Sequence, residues 1–183
     1  MTKDAIADLL DPTVLQVGIN LGNILLVTGK KANGDPEGIA PDMAAAIAEK
    51  LGINVKFNTF ATPGEVADAA ERGEWDIGLI AIEPKRAEVI DFCNAYVQIE
   101  ATYLVPEASS FQKVPALRDN AADMPGSRLL PGRYTAVKQA IGTRHGKPAL
   151  KAVVQAFIAD AVSSGFVQGL IDKHGVTGKL AVA

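Results

Sequence analysis

The chain has 183 residues, 48% of them hydrophobic and 21% charged, which suffices for one ordinary core and at most two very small ones. Its 18 basic and 21 acidic residues give a formal net charge of -3 and no long run of one sign, which excludes a nucleic-acid footprint and a polybasic membrane-surface patch. Gly, Asn, Lys or Asp interrupts every apolar stretch well before the roughly 20 residues that cross a bilayer, so a soluble protein without membrane insertion is expected.

The opening residues lack the cationic segment, apolar run and small-residue cleavage site of a secretory signal. The expectation is a chain that stays in the cytoplasm or one whose signal was removed. Cys93 is the single cysteine and lies in a mixed apolar stretch, so it forms no intramolecular disulfide here and reads as a buried, inert thiol.

Residues 5–10 predict a short helix stopped by Asp11 and Pro12, and the run 14–19 predicts a buried strand dense enough in apolar residues to be central and parallel. After a loop over 20–35, Pro41 at a start and Gly52 just past an end bracket an apolar helix over 42–51. Residues 55–60 form the next strand. Thr62, with Glu65 three residues on, caps a helix that runs to about Arg72 before Gly73, and residues 75–82 supply a third strand.

This β-α-β-α-β order with short connections implies the α/β class, a single parallel-rich sheet of five strands with helices on both faces. Ligands of such sheets sit beyond the carboxyl ends of the strands, so the loops 20–23, 60–62 and 81–86 are expected to converge.

Residues 102–105 form a short strand, and 106–127, rich in Pro, Ser, Asp and Asn, read as a linker. Order returns with a strand over 133–141, a helix from Pro148 to about Ser164, and a last helix over 166–174 ending at Gly175. In the longer helix Leu150, Val153, Val154, Phe157, Ile158 and Ala161 recur at three-and-four spacing, the stripe of a helix packed on a sheet.

The segments VGIN, GIAPDMAAAIAEKLG, EWDIGLIAIEPKRAEVIDFCNAY and YLVP, in that order, resemble the first lobe of family 3 of the bacterial extracellular solute-binding proteins, the polar amino-acid branch of the type II periplasmic binding proteins. GRYTAVKQAIGT and the final helix pair resemble the family's return strand and C-terminal helices. Family members place roughly a hundred residues of second lobe between these parts. Here residues 107–129 stand in its place as a linker, with 1–106 as the first part of the lobe and 130–183 completing it. The resemblance implies a lobe whose second half of the clamshell is deleted.

In the family an Arg in the loop after the third strand, within a pattern like S-x-T-x-x-R, clamps the α-carboxylate of a bound amino acid, and Arg86 stands at that place. A planar guanidinium offers two parallel donors matched to two carboxylate oxygens. On residues alone Arg86 equally suits a surface ion pair with Glu83 or Glu88. The chain departs from the pattern at Ala81, where a hydroxyl is usual, and at Glu83, where Ser or Thr is usual; an acid beside the clamp repels an anion. Asn23 occupies the loop where an aromatic often stacks, and Asn20 the place of an acidic or polar residue. Asn20, Asn23 and Gln139 offer carboxamides to a polar solute, and the asparagines serve turns equally well.

Trp75, Phe92 and Tyr96 read as structural aromatics. His145 and His174 have no Cys or carboxylate at ligand spacing, so no metal site and no cofactor is expected. The implied function is non-catalytic binding of a small amino acid or carboxylate, weak for want of the second-lobe acid, with an ABC-transporter permease as partner and a periplasmic location by resemblance. Two alternatives stand beside it: a dehydratase-like enzyme with Glu83 as its acid, and a folding or assembly unit that binds no solute. Strand-capable segments over 97–105 and 134–141, left without a second lobe, suggest a homodimer.

Overall fold

The computed structural model describes residues 2–101, 104–108, 126–129 and 135–183. Its elements are α1 (Thr2–Ala7), β1 (Val14–Asn20), β2 (Gly29–Lys30), β3 (Pro36–Glu37), α2 (Ile39–Leu51), β4 (Asn54–Phe60), α3 (Pro63–Glu71) and β5 (Ile77–Ala81). A 3-10 turn (Arg86–Glu88) leads to β6 (Ile90–Ala101), β7 (Leu104–Pro106), β8 (Ser127–Leu129), β9 (Thr135–Arg144), α4 (Pro148–Ser163), α5 (Phe166–Lys173) and β10 (Ala181–Val182).

One sheet of six strands, in the order β10-β6-β9-β5-β1-β4, organises the lobe. β1 runs parallel to β4 and β5, β9 lies antiparallel between β5 and β6, and β10 pairs antiparallel with β6, so β4, β1, β5 and β6 all point one way. The α/β architecture with a parallel-rich sheet is as the sequence implies, with six strands rather than five. No second comparable sheet occurs among the described residues, where the other sheets are two-stranded, β2-β3 and β7-β8.

Alternation along β1 and β5 sorts the core onto two faces. Leu15, Val17, Ile19, Ile77 and Leu79 point to one face and join Ile39, Met43 and Ile47 of α2, Val154 and Ile158 of α4, and Val167 and Ile171 of α5. On the other face Val66, Ala69 and Ala70 of α3 pack with Ile80 around Trp75. Burial on both faces explains why β1 and β5 read as continuous apolar runs.

Trp75 is fully buried and its indole Nε1 donates to the Val66 carbonyl at 2.8 Å. The ring lies over two strand positions that carry no side chain. A Cβ at Gly18 would stand 2.8 Å from Trp75 Cδ1, and one at Gly78 would stand 3.0 Å from Trp75 Cη2. The two glycines are thus a shelf that lets the largest side chain lie flat beneath α3.

At the amino end of the strands Asp76 is buried and accepts from Leu10 N at 2.8 Å and from Gln16 N at 2.9 Å, with Arg144 Nη2 at 3.7 Å. Burial pushes its carboxyl up, against the opposing pull of those two amides and the nearby cations. One side chain therefore fastens the α1–β1 connection to β5.

α3 begins as the sequence predicts: Thr62 Oγ1 accepts from Glu65 N at 3.2 Å, while Glu65 Oε2 reaches back to Ala61 N at 2.9 Å. α2 starts at Ile39, three residues before the expected position, because Gly38 turns the chain there with φ 148, where a Cβ would run into the Leu26 carbonyl.

Two expectations about strands are corrected. The strand expected over 102–105 belongs outside the main sheet, where β7 pairs with β8. The strand that does enter is β6, from Ile90; two register shifts, between Phe92 and Ala95 and between Ala95 and Val97, break its alternation and hide it from a periodicity reading. The return strand runs over Thr135–Arg144 rather than 133–141. The linker expected over 107–129 contains β8 at its end, and most of the rest lies outside the described residues.

The segments over 97–105 and 134–141, free by sequence to pair within one chain or between two, pair with each other within the chain, from Val97↔Gln139 to Ala101↔Thr135. The dimer expectation loses that basis.

Candidate functional site

Because β1, β4 and β5 are parallel, their carboxyl ends and the loops that follow share one edge of the sheet. Leu21 N donates to the Phe60 carbonyl at 2.9 Å, which ties the loop after β1 to the loop after β4. Gly22 makes this approach possible, since a Cβ there would lie 2.8 Å from the Ala61 carbonyl oxygen.

The asparagines of this loop build it. Asn20 Oδ1 accepts from Gly22 N at 3.0 Å and Asn23 Oδ1 from Leu25 N at 3.3 Å. Both side chains thus form the Asx turns that the sequence left open as their second role, through their Oδ1 atoms. Directly after Asn23 stands Ile24, 76% exposed, an apolar residue in the same loop that the sequence reading did not single out.

β5 ends at Ala81, paired in register with Gln139 of β9, and Ile82 N donates to the Lys138 carbonyl at 2.9 Å. Gln139 is buried beside this end of β5, so it is not exposed at the edge. Beyond Ala81 the chain turns back on itself, Ala87 N donating to the Glu83 carbonyl at 3.0 Å, and enters the 3-10 turn at Arg86.

Arg86 closes this loop. Its Nη1 donates to the Ala81 carbonyl at 3.0 Å and its Nη2 to Glu83 Oε1 at 3.0 Å. The Arg86 side chain is only 14% exposed, against 53% for Glu83. A groove of about 340 Å³ separates the loop from α3; Ala67, Asp68, Glu71, Glu83, Arg86 and Val89 are among its walls. The acids of α3 were not foreseen, since their approach depends on how the helix packs back over β5.

Asp42, His145 and Cys93 are tied into the frame. Asp42 Oδ2 accepts from Lys173 Nζ at 2.7 Å and is 2.8 Å from His174 Nε2, which joins α2 to α5. Burial works to raise the Asp42 carboxyl, but these two contacts together hold it below the ordinary carboxylate range. His145 lies with Nε2 3.0 Å from the Glu88 carbonyl and Nδ1 3.3 Å from Asp91, contacts that raise its pKa. Burial pushes the Cys93 thiol up to about 11, consistent with an inert packing residue. Among the described residues no group of three His, Cys, Asp or Glu side chains is placed to hold a metal ion, and no single helix is long and apolar enough to cross a membrane.

A sheet-centred α/β lobe whose parallel strands end in loops gathered at one edge has the architecture of a periplasmic-binding-protein-like lobe. The chain belongs to the bacterial extracellular solute-binding proteins, family 3, whose pattern matches residues 15–177.

It is 23% identical over 100 residues to the amino-acid-binding protein AabA of Dichelobacter nodosus, an alignment that takes in 54% of this chain and only 40% of that relative. Among solved structures it superimposes with a TM-score of 0.71 on an amino acid ABC transporter substrate-binding protein of Streptococcus pneumoniae bound to L-arginine, at 17% identity and covering 98% of this chain and 99% of that one. An ancestral amino-acid-binding protein described as a precursor of cyclohexadienyl dehydratase gives a TM-score of 0.68 at 17% identity, covering 92% and 98%. At such identities the likeness is one of fold.

Proposed function

We propose that this lobe is a non-catalytic receptor module that holds a small amino acid or carboxylate at the carboxyl edge of its sheet, with Arg86 as the carboxylate clamp. The observation that carries the reading is the position of Arg86. It is a little-exposed guanidinium anchored to the Ala81 carbonyl in the loop after β5, at the edge where the loops after β1 and β4 meet. Anchoring through one nitrogen fixes the plane of the fork, and a fixed fork is what bidentate recognition of a carboxylate requires.

Asn20 and Asn23 contribute amide donors from the opposite loop, Ala81 leaves room, Glu83 tunes the charge, and Gln139 supports Ala81 from within the sheet. In this reading residues 107–129 replace a second lobe as a linker, and the lobe works outside the cytoplasmic membrane with the permease of an ABC transporter as its partner. The names of the relatives support the amino-acid class of ligand.

An enzymatic reading with Glu83 as acid is disfavoured, because Glu83 is half exposed and catalysis of that kind depends on exclusion of water. Isothermal titration with a panel of amino acids tests the proposal. Binding that Arg86→Ala weakens at least about 10-fold supports it, since a lost charge-assisted pair is worth on that order; binding indifferent to Arg86→Ala sinks it.

A further inference from the structure

The fork that would receive a carboxylate already holds one. Glu83 Oε1 sits 3.0 Å from Arg86 Nη2, while Nη1 is bound to the Ala81 carbonyl, so both terminal nitrogens of the guanidinium are engaged by the protein's own loop. The contact is built into the backbone. The turn closed by Ala87 N on the Glu83 carbonyl places residues 83 and 86 on one side of the loop, so Glu83 meets Arg86 at the high effective concentration of an intramolecular ligand.

The two partners are unequal in exposure: Glu83 is 53% exposed and Arg86 14%. Glu83 is therefore the member that moves aside into water, while the guanidinium stays.

We propose that Glu83 is a built-in competitor for the Arg86 clamp, and that it makes the site select ligands carrying a cationic group together with their carboxylate. This rests on the reading of Arg86 as the clamp. A plain carboxylate that displaces Glu83 exchanges one ion pair for another and leaves Glu83 unpaired in a groove that Asp68, Glu71 and Glu88 already make acidic, with Lys85 the other cation on its wall. A ligand that also bears an ammonium or guanidinium gives the displaced Glu83 a new partner. The sequence departure at residue 83, where family members usually carry a hydroxyl, is then a determinant of ligand class rather than a defect of the site.

Three related probes on the whole chain separate the possibilities: L-lysine, which has carboxylate and cations; hexanoate, which keeps the carbon chain and the carboxylate alone; and cadaverine, which keeps the cations alone. Affinities for wild type and Glu83→Ser are measured by calorimetry. In parallel, phenylglyoxal labelling of Arg86 is followed by peptide mass, with Arg72 as internal reference, to report the Glu83–Arg86 contact without any ligand. Wild type is expected to prefer L-lysine over both hexanoate and cadaverine. Glu83→Ser is expected to raise hexanoate affinity by about 3- to 10-fold, the worth of a partly exposed ion pair, to narrow the L-lysine preference, and to speed Arg86 labelling severalfold. Unchanged hexanoate affinity in Glu83→Ser overturns the competitor role while leaving the clamp intact. Faster labelling with no binding of any probe to either protein overturns the clamp reading, and the proposal with it, and leaves Glu83–Arg86 a structural ion pair.

Discussion

Gly18→Ala tests the account of the Trp75 shelf. The new Cβ would lie 2.8 Å from Trp75 Cδ1 and 3.0 Å from both Cγ and Nε1, closer than real Cβ contacts allow, and the atoms it meets belong to a rigid ring. The ring cannot retreat freely, because it is fully buried beneath α3 and its Nε1 is bonded to the Val66 carbonyl. Overpacking of a tight core costs about 1–3 kcal/mol, and the stiffening of the unfolded chain by Ala returns about 0.4–1 kcal/mol. The net expectation is a loss of about 1–2 kcal/mol, which for a domain of this size lowers Tm by roughly 2–8 °C. Trp75 is the only tryptophan, so urea unfolding followed by intrinsic fluorescence reads both stability and the local environment of the ring. Gly169→Ala in α5, where a Cβ meets nothing within 4 Å, is the matched control and should stabilise by about 0.5–1 kcal/mol. A Gly18→Ala protein as stable as wild type with unchanged emission would refute the shelf.

Asp76→Ala removes the acceptor of two backbone amides and the charge facing Arg144, and should destabilise by about 3 kcal/mol or more in the same urea assay. Asp42, with its folded pKa below the unfolded value, contributes stability that is present above the ordinary carboxylate range and lost as pH falls through the lowered folded value. Asp42→Asn should therefore flatten acid unfolding below about pH 4 by circular dichroism. His145 should titrate above 6.5 by NMR, first because of the Glu88 carbonyl and then Asp91, and Asp91→Asn should bring it down; whatever stability it adds is present below 6.5 and fades as pH rises through its folded value. Cys93, with its thiol pushed up to about 11, should react with a disulfide reagent at pH 8 at least 10-fold more slowly than free cysteine, a rate that measures its burial.

What the sequence made legible was whatever a short window determines. Strands β1, β4 and β5 and the cap of α3 depend on local composition and on the Thr62–Glu65 spacing, and they stand where expected. β6 was lost because its pairing is set by β9, about forty residues on, and its two register shifts erase the alternation that a window reads. The same limit applied to the site. Arg86 could be located from its loop position, and its ion pair with Glu83 was one of the two open partners. The choice between Glu83 and Glu88 was not available, because it depends on the turn at Ala87. The acids that α3 contributes, and the exposure of Ile24, follow from packing across the sheet edge and leave no mark in the residues themselves.

The two ends of the sheet divide the work, and this decides how variants at the site are to be read. At the amino end Asp76 binds two backbone amides from inside the protein, so its removal orphans buried groups and weakens the whole lobe. At the carboxyl end the side-chain contacts of Asn20, Asn23 and Arg86 lie within five residues along the chain, while backbone bonds such as Leu21 N to the Phe60 carbonyl join the loops. Taking away Glu83, half exposed and held by a single ion pair, leaves Arg86 bonded to the Ala81 carbonyl, and ion pairs with an exposed partner contribute little to stability. Tm values for Glu83→Ser should stay within about 2 °C of wild type, so a change in its ligand response reports recognition and not folding. A larger fall in Tm would mean that the loop after β5 is part of the frame, and the division between the two edges would have to be abandoned.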